Sequence, residues 1–224
     1  MTSGIIETII LAAIALFLVF KLRGVLGTKT GLEEQQGARV RAPAPSRSAP
    51  AGPVPVAEAN EIDPDSATVA EGDREIGEAL SAMRRAEPSF LPSEFMGGAR
   101  GAFEMILMAF EQGDLDTLRQ FLAPEVFAGF EAAIAERREN GYTVDARFIG
   151  VREAQVVAAR YDAATREAEI AVRFTAEMIT VVRDADLQIV EGDPNEIRRE
   201  SDVWTFGRRM GASDPNWRLV ATGG

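Results

Sequence analysis

Residues 9–20, close to the start of the chain, are apolar without interruption. In the slightly longer stretch 5–20, the only polar residues are Glu7 and Thr8. A helix over residues 4–22 is about 28 Å long at 1.5 Å per residue, close to the thickness of about 30 Å of a bilayer's hydrocarbon core. The pattern therefore predicts a single transmembrane helix over 4–22.

The charges around this apolar run indicate a retained anchor. No Lys or Arg precedes the run, whereas Lys21, Arg23 and Lys29 follow it. A cleaved signal peptide, which is the alternative, has its positive charge before the apolar run and small residues at a cleavage site after it. Because positive flanks stay on the cytoplasmic side, we expect the amino terminus outside and residues 21 onward on the cytoplasmic side. Residues 1–27 would then form the anchor and its headgroup flank.

The next stretch, residues 28–71, has the composition of a linker. It contains six of the 11 prolines, no aromatic residue and no helical or strand periodicity. Such a segment cannot bury enough apolar surface to order itself, so we predict a disordered Ala/Pro-rich tether. Its three arginines fall short of the polybasic cluster that anionic lipid requires, and solubility is the simpler interpretation.

Residues 72–224 carry the periodicities of a folded domain. Apolar positions between residues 76 and 134 recur at intervals of three and four, and Gly113 predicts the end of one helix. From residue 168 to 178, apolar residues then alternate with mostly polar ones, which is typical of a strand with one buried face. Helices followed by antiparallel strands predict an α+β domain, in which helices pack on one face of a curved antiparallel sheet.

One predicted helix is rich in glycine, at positions 97, 98 and 101. A phosphate-binding loop would need a Lys followed by Ser or Thr after the glycines, and this sequence has none there. We therefore interpret the glycines as sites of close helix packing.

Composition excludes several classes of function. The formal charge is −11, and the chain has neither Cys nor His. Nucleic-acid binding draws on clustered Lys and Arg, so we expect no nucleic-acid partner. Disulfide scaffolds, thiolate zinc sites and His-dependent catalytic triads are excluded as well. No motif indicates a cofactor.

Composition does not exclude sites whose chemistry depends on Asp and Glu carboxylates. The Asp and Glu runs lack the spacing of a calcium loop, so we expect no metal site. Asp202 is the sharpest catalytic candidate, because it shares a strand face with Trp204 and Phe206. An Asp in an apolar pocket can act as a general acid or base, as in an isomerase or dehydratase. No second catalytic group accompanies it, and an enzyme is therefore the less favoured alternative.

Two sets of apolar residues are candidate contact surfaces. The first could line a sheet pocket for lipid or a small ligand, with an ordinary core as the alternative interpretation; it comprises Phe174, Trp204, Phe206 and Trp217. The second lies in residues 73–99 and could contact a protein or the membrane, with packing on its own domain as the alternative; it comprises Ile76, Leu80, Met83, Phe90, Leu91, Phe95 and Met96.

Several short motifs occur in a recognisable order. FLPSEFMGGARGAFEMILMAFEQGD covers residues 90–114, DVWTF covers 202–206 and DPNWRL covers 214–219. With the apolar anchor and the Pro-rich linker before them, they resemble the bacterial relatives of the Tim44-like family, which includes the chaperone-anchoring subunit of the mitochondrial import translocase. The resemblance covers residues 1–30 and about 72–224.

The resemblance implies a cone-like α+β domain related to the nuclear-transport-factor-two fold. It also implies a non-enzymatic adaptor at the inner membrane that binds proteins, with anionic phospholipid as a further expected partner. The leading helices of the family's domain are associated with membrane contact, and residues 73–99 match them. We therefore expect a membrane-tethered adaptor, with its partner unidentified and a role in protein transport or membrane-protein biogenesis.

Overall fold

The computed structural model describes residues 62–223, which form five helices followed by five strands. The helices are α1 (Pro64–Val69), α2 (Arg74–Ala86), α3 (Pro92–Gln112), α4 (Leu115–Phe121) and α5 (Pro124–Glu139). The strands are β1 (Thr143–Tyr161), β2 (Glu167–Arg183), β3 (Ile189–Gly192), β4 (Arg198–Arg209) and β5 (Arg218–Thr222). The predicted α+β order is confirmed.

All five strands join one antiparallel sheet around β2. The strand order is β1-β2-β4-β5, and the short β3 pairs with the last residues of β2. The pairing of β1 with β2 shifts register three times along its length. Because each extra residue bends a strand and increases its twist, these shifts curve the sheet, as predicted.

The alternation predicted for residues 168–178 is confirmed. Every even-numbered residue in that run is buried on the inner face of β2. Glu177 is buried as well, although it lies on the outer face. Its carboxylate accepts hydrogen bonds from Arg152 Nε at 2.6 Å and Arg199 Nη2 at 2.9 Å, and these bonds hold its pKa below the ordinary value.

The inner face of the sheet is covered by α2 and α3, both of which pack against β1. On α3, the buried positions recur at helical spacing and form one apolar stripe; they include Phe95, Ala99, Phe103, Ile106 and Ala109. This stripe and the even-numbered residues of β2 from Ala168 to Ala176 belong to one core.

The end of α3 is fixed by a glycine and by an arginine from α5. Gly113 adopts φ 70°, the left-handed conformation predicted for a helix end. Arg137 donates to the carbonyls of Phe110 at 2.8 Å and Glu111 at 3.0 Å, and its Nη1 lies 3.4 Å from Glu111 Oε2. Burial raises the pKa of Glu111, although the charge of Arg137 opposes that shift.

The folded domain begins earlier than the sequence predicts. Residues 62–71 were assigned to the disordered linker, but α1 lies within them, and that part of the prediction is wrong. Asp63 caps α1 through Ser66 N at 3.1 Å and also accepts from Ser81 Oγ of α2 at 3.0 Å and from Arg84. These partners lie 18 and 21 residues away, so the ordering comes from tertiary contacts that local composition does not show.

The interpretation of the three helix glycines as close-packing sites is also wrong. A Cβ atom added to Gly97, Gly98 or Gly101 would meet no other part of residues 62–223 within 4 Å. All three are exposed, so this side of α3 presents bare backbone and small side chains to solvent.

Some sequence predictions fall outside residues 62–223. These are the transmembrane helix over 4–22, the headgroup flank formed by Lys21, Arg23 and Lys29, and the linker up to residue 61. Within the described part of the chain, no helix is both long enough and apolar enough to cross a bilayer.

We expect Asp63→Ala to destabilise the domain in a pH-dependent way. Burial acts to raise the pKa of Asp63, but hydrogen bonds from Ser66, Ser81 and Arg84 lower it from 3.8 to about 2. A carboxyl with a lowered folded-state pKa stabilises the fold above its unfolded pKa, and this contribution disappears as the pH falls from about 4 to about 2. Urea unfolding of the full chain in detergent should show a loss of about 1–2 kcal/mol at pH 7, and a smaller loss at pH 3.

The control for this experiment is Asp145→Ala. Asp145 is exposed on β1 and forms no ion pair with another described residue, so its removal should leave the unfolding free energy nearly unchanged at both pH values. An equal loss for the Asp63 variant at pH 7 and pH 3 would contradict the role given to its charge.

We expect Gly97→Ala to stabilise the domain. The new methyl group meets no neighbour, and Ala favours a helix interior over Gly by about 0.5–1 kcal/mol. The matched control is Gly113→Ala, which should destabilise, because φ is 70° and the added Cβ lies 2.8 Å from Arg138 Nη2. Urea titration measures both, and a destabilised Gly97 variant would show that this face is packed after all.

Candidate functional site

Most of the predicted contact residues of segment 73–99 lie in the core. Ile76, Leu80, Met83, Phe90 and Phe95 are all buried, while Leu91 and Met96 are partly buried. The described domain therefore does not present the first five as a surface. Their helical spacing reflects packing on the domain itself, which was the alternative interpretation of this segment.

The predicted sheet pocket is filled by the side chain of Phe103. Its ring stacks on Phe174 at 4.5 Å between ring centroids and lies 4.5 Å from Trp204. Phe206 is also buried, 6.4 Å from Phe174. These aromatic residues form a core, which was the alternative to a ligand pocket. A cavity of only about 70 Å³ remains between α3 and the sheet.

Asp202 lines that small cavity, but it is exposed to solvent and already engaged. Its Oδ2 accepts from the indole Nε1 of Trp204 at 2.9 Å, and its Oδ1 accepts from Val203 N at 2.8 Å. Over residues 62–223, no three Asp or Glu side chains come together as metal ligands. The side chain of Asp202 orients the indole of Trp204 against the core. This is a structural role, and it involves no catalytic step.

A groove of about 270 Å³ lies beside α3, and we call it the α3 groove. It lies between the exposed side of α3 and the segment that joins β4 to β5. Its lining is mainly apolar, with one carboxylate and one amide: Glu94, Phe95, Gly98, Ala99, Ala102, Met105, Phe121, Phe206, Pro215, Asn216 and Trp217.

The floor of the α3 groove consists of small residues, and its walls contain large apolar ones. Gly98 and Ala102 lie one turn apart along α3, with Ala99 next to Gly98, and the backbone at Gly98 is accessible. Met105 is 46% exposed at one end. Trp217 is half-buried, and its ring lies 4.8 Å from that of Phe95 in an edge-to-face contact.

The wall that carries Trp217 is held by an ion pair across the fold. Glu87, at the end of α2, pairs with Arg208 of β4 and accepts from Gly211 N at 2.6 Å. Partial burial acts to raise the pKa of Glu87, but these donors bring it below the ordinary value. The Arg208 guanidinium in turn lies 5.9 Å from the centroid of the Trp217 ring. The ion pair therefore connects the end of α2 to the groove wall that carries Trp217.

The sequence predicted roles for some of the residues that line this groove, but it assigned them to different sites. Trp217 was assigned to a sheet pocket and Phe95 to an exposed segment, whereas Met105, Phe121, Pro215 and Asn216 were not identified as site residues. The available signal was the glycine stripe, because three glycines in one helix expose its backbone unless a neighbour covers them.

Comparison with known proteins gives the family. The model of the Tim44-like domain matches residues 76–224. The probable mitochondrial import inner membrane translocase subunit tin-44 of Caenorhabditis elegans is 23% identical over 157 residues, which cover 68% of this chain and 36% of the worm protein. The human mitochondrial import inner membrane translocase subunit TIM44 is 23% identical over 149 residues, which cover 65% of this chain and 32% of the human protein.

The chain thus spans about a third of the length of the curated relatives it matches. Among solved structures, the intermembrane space region of the chloroplast protein ARC6 aligns with a TM-score of 0.40 and 11% identity, covering 57% of this chain and 94% of that one. The family match covers well over half of the chain and includes α3, the sheet and the groove-lining segment before β5. This chain belongs to the Tim44-like family.

Proposed function

We propose that this protein is a membrane-tethered adaptor, which binds a protein partner in the α3 groove at the cytoplasmic face of the inner membrane. The observation that carries the proposal is the groove itself, a mainly apolar surface that no other described residue fills. The curated relatives are named as subunits of a mitochondrial import translocase of the inner membrane. These names support an adaptor role at a membrane for this chain as well.

A protein partner suits the groove better than a small ligand does. Ligand pockets usually enclose about 300–1,000 Å³, whereas the α3 groove has about 270 Å³, is only partly enclosed and has small residues of α3 along one side. An extended segment or a few side chains of another protein can fill such a shape. The cavity near Asp202 is smaller still, with a volume of about 70 Å³. Its small size supports neither the ligand-binding nor the enzyme alternative.

Charge also favours a protein partner over anionic phospholipid. Residues 62–223 contain 30 acidic residues, 18 arginines and no lysine. A domain with this excess of negative charge is repelled from an anionic membrane surface. The sequence-predicted anchor over 4–22 would then keep the domain near the bilayer, where tethering raises its effective concentration for membrane-localised partners.

A photo-crosslinking probe at Met105 tests the groove. Met105 is exposed and lies at the groove's end, whereas Phe90 and Phe95 are buried, so probes there would report on the core. In intact cells, we expect a discrete protein adduct from Met105, identified by mass spectrometry. The control probe at Ile197, which is 54% exposed on the loop before β4, should not give that adduct. Adducts to lipid alone would contradict the proposal and indicate a membrane-binding module.

The tether is tested by exchanging the anchor. Replacing residues 1–27 with an unrelated transmembrane helix of the same orientation should preserve the Met105 adduct, because the proposal assigns the anchor no role beyond localisation. A chain that starts at residue 28 should give a much lower yield at the same expression level. A yield equal to that of the anchored chain would show that tethering is not needed.

A further inference from the structure

We propose that two copies of this chain pair with each other through residues 144–148 of β1, which run antiparallel around a two-fold axis at Ala146. The two sheets then continue into one another, and each copy offers the other the same surface. The pairing involves β1, whereas the α3 groove lies beside the segment that joins β4 to β5 at the opposite side of the sheet. It therefore does not depend on the proposed function.

The backbone of β1 is open on one side. The strand order places β1 at one edge of the sheet and β5 at the other. The β5 edge is occupied, because Leu219 O accepts a hydrogen bond from Ala123 N at 2.9 Å. Residues 143–148 of β1, by contrast, have no backbone partner within residues 62–223 other than β2. Such an edge can accept a further strand.

The first part of β1 is also regular. Residues 143–148 pair with β2 without interruption, from Thr143 opposite Arg183 to Phe148 opposite Met178. The three register shifts between β1 and β2 all come after Phe148. Bulges bend a strand and protect an edge from further pairing, and here they are confined to the rest of β1. A second strand can therefore follow residues 144–148.

The inner face of this stretch is apolar and incompletely covered. Val144, Ala146 and Phe148 lie on that face, where the ring of Phe148 is 6.5 Å from the ring of Phe103. All three remain partly exposed, although Met178, the neighbour of Phe148 on β2, is only 4% exposed. A strand added at the open side of β1 would bury more of their apolar surface.

The outer face of the same stretch carries two charges that the domain does not use. Asp145 and Arg147 are both exposed there. Neither side chain forms a hydrogen bond or an ion pair with any of the described residues. One negative and one positive charge, two positions apart on one face, are thus available to another molecule.

A second copy of the chain complements both faces in one register. With the two-fold axis at Ala146, Asp145 of each copy lies opposite Arg147 of the other, and Val144 lies opposite Phe148. Opposite charges and apolar side chains that face each other across antiparallel strands stabilise the pairing. Moving the axis by one residue, to Asp145 or to Arg147, would place two like charges opposite each other. The charges therefore select the register at Ala146.

The pairing is expected to be weak. A contact of five residues per copy belongs with the small interfaces, below about 1,200 Å², that are typical of transient complexes. We therefore expect a dimer that dissociates on dilution. The urea titrations described above, carried out at low protein concentration, then report on the monomer.

The test introduces single cysteines into the full chain in detergent micelles at high protein concentration. Because the chain has no Cys of its own, a disulfide must join two molecules. Directly opposed residues of antiparallel strands lie about 4.5–5.5 Å apart between Cα atoms, which a disulfide can bridge. We therefore expect Ala146→Cys to form a linked dimer on mild oxidation.

Val144→Cys is the matched control for this measurement. Val144 lies on the same face as Ala146 and is also half-buried. In the proposed register, however, it is displaced from its own equivalent by four residues, or about 13 Å along the strand. Its yield of linked dimer should therefore be at least fivefold lower than that of Ala146→Cys.

Charge reversal tests the register independently. Asp145→Arg or Arg147→Asp, each added to Ala146→Cys, places like charges opposite each other at two positions and should lower the yield at least fivefold. The two reversals together restore opposite charges across the axis and should recover the yield. Both residues are exposed, and thermal unfolding checks that each variant folds.

A second readout leaves the inner face intact. When chains with Asp145→Cys are mixed with chains with Arg147→Cys, we expect the mixed disulfide in preference to either symmetric one. Absence of a linked dimer in both formats would overturn the inference. Equal yields for Ala146→Cys and Val144→Cys, or no recovery when both charges are reversed, would overturn it as well. The Met105 adduct in cells tests the α3 groove separately, so either proposal can fail without the other.

Discussion

The packing of Phe103 against the inner face of the sheet determines how the rest of the domain can be used. The ring lies 4.5 Å from both Phe174 and Trp204, at the point where β2 and β4 pair side by side. A stack of this kind combines the burial of large apolar surfaces with favourable ring geometry. The cavity beside this stack, among the described residues, has a volume of only about 70 Å³. The larger α3 groove lies between α3 and the segment before β5.

Two partly buried ion pairs connect α3 and its surroundings to the rest of the domain. Arg137 satisfies carbonyls at the end of α3, and Glu87 pairs with Arg208 and accepts from Gly211 N in the segment before β5. Ion pairs removed from water contribute little net stability unless their remaining polar atoms are also satisfied. Arg137 and Glu87 make additional hydrogen bonds to backbone atoms, whereas Arg208 Nε is buried without a partner among the described residues. The main effect of these pairs is therefore to specify geometry, and the second brings the Arg208 guanidinium within 5.9 Å of the centroid of the Trp217 ring.

The sequence predictions are accurate where the interacting residues are close together along the chain, and they fail where those residues are far apart along it. The alternation over residues 168–178 and the helix end at Gly113 follow from local periodicity and backbone conformation, and both are confirmed. Asp63 and α1 were missed, because their order comes from Ser81 and Arg84, far along the chain. The glycine stripe was misread for a related reason, since only the tertiary structure shows whether a neighbour covers it. Burial of Phe95 and exposure of Met105, ten residues apart on one helix, are likewise set by which side of α3 meets the sheet.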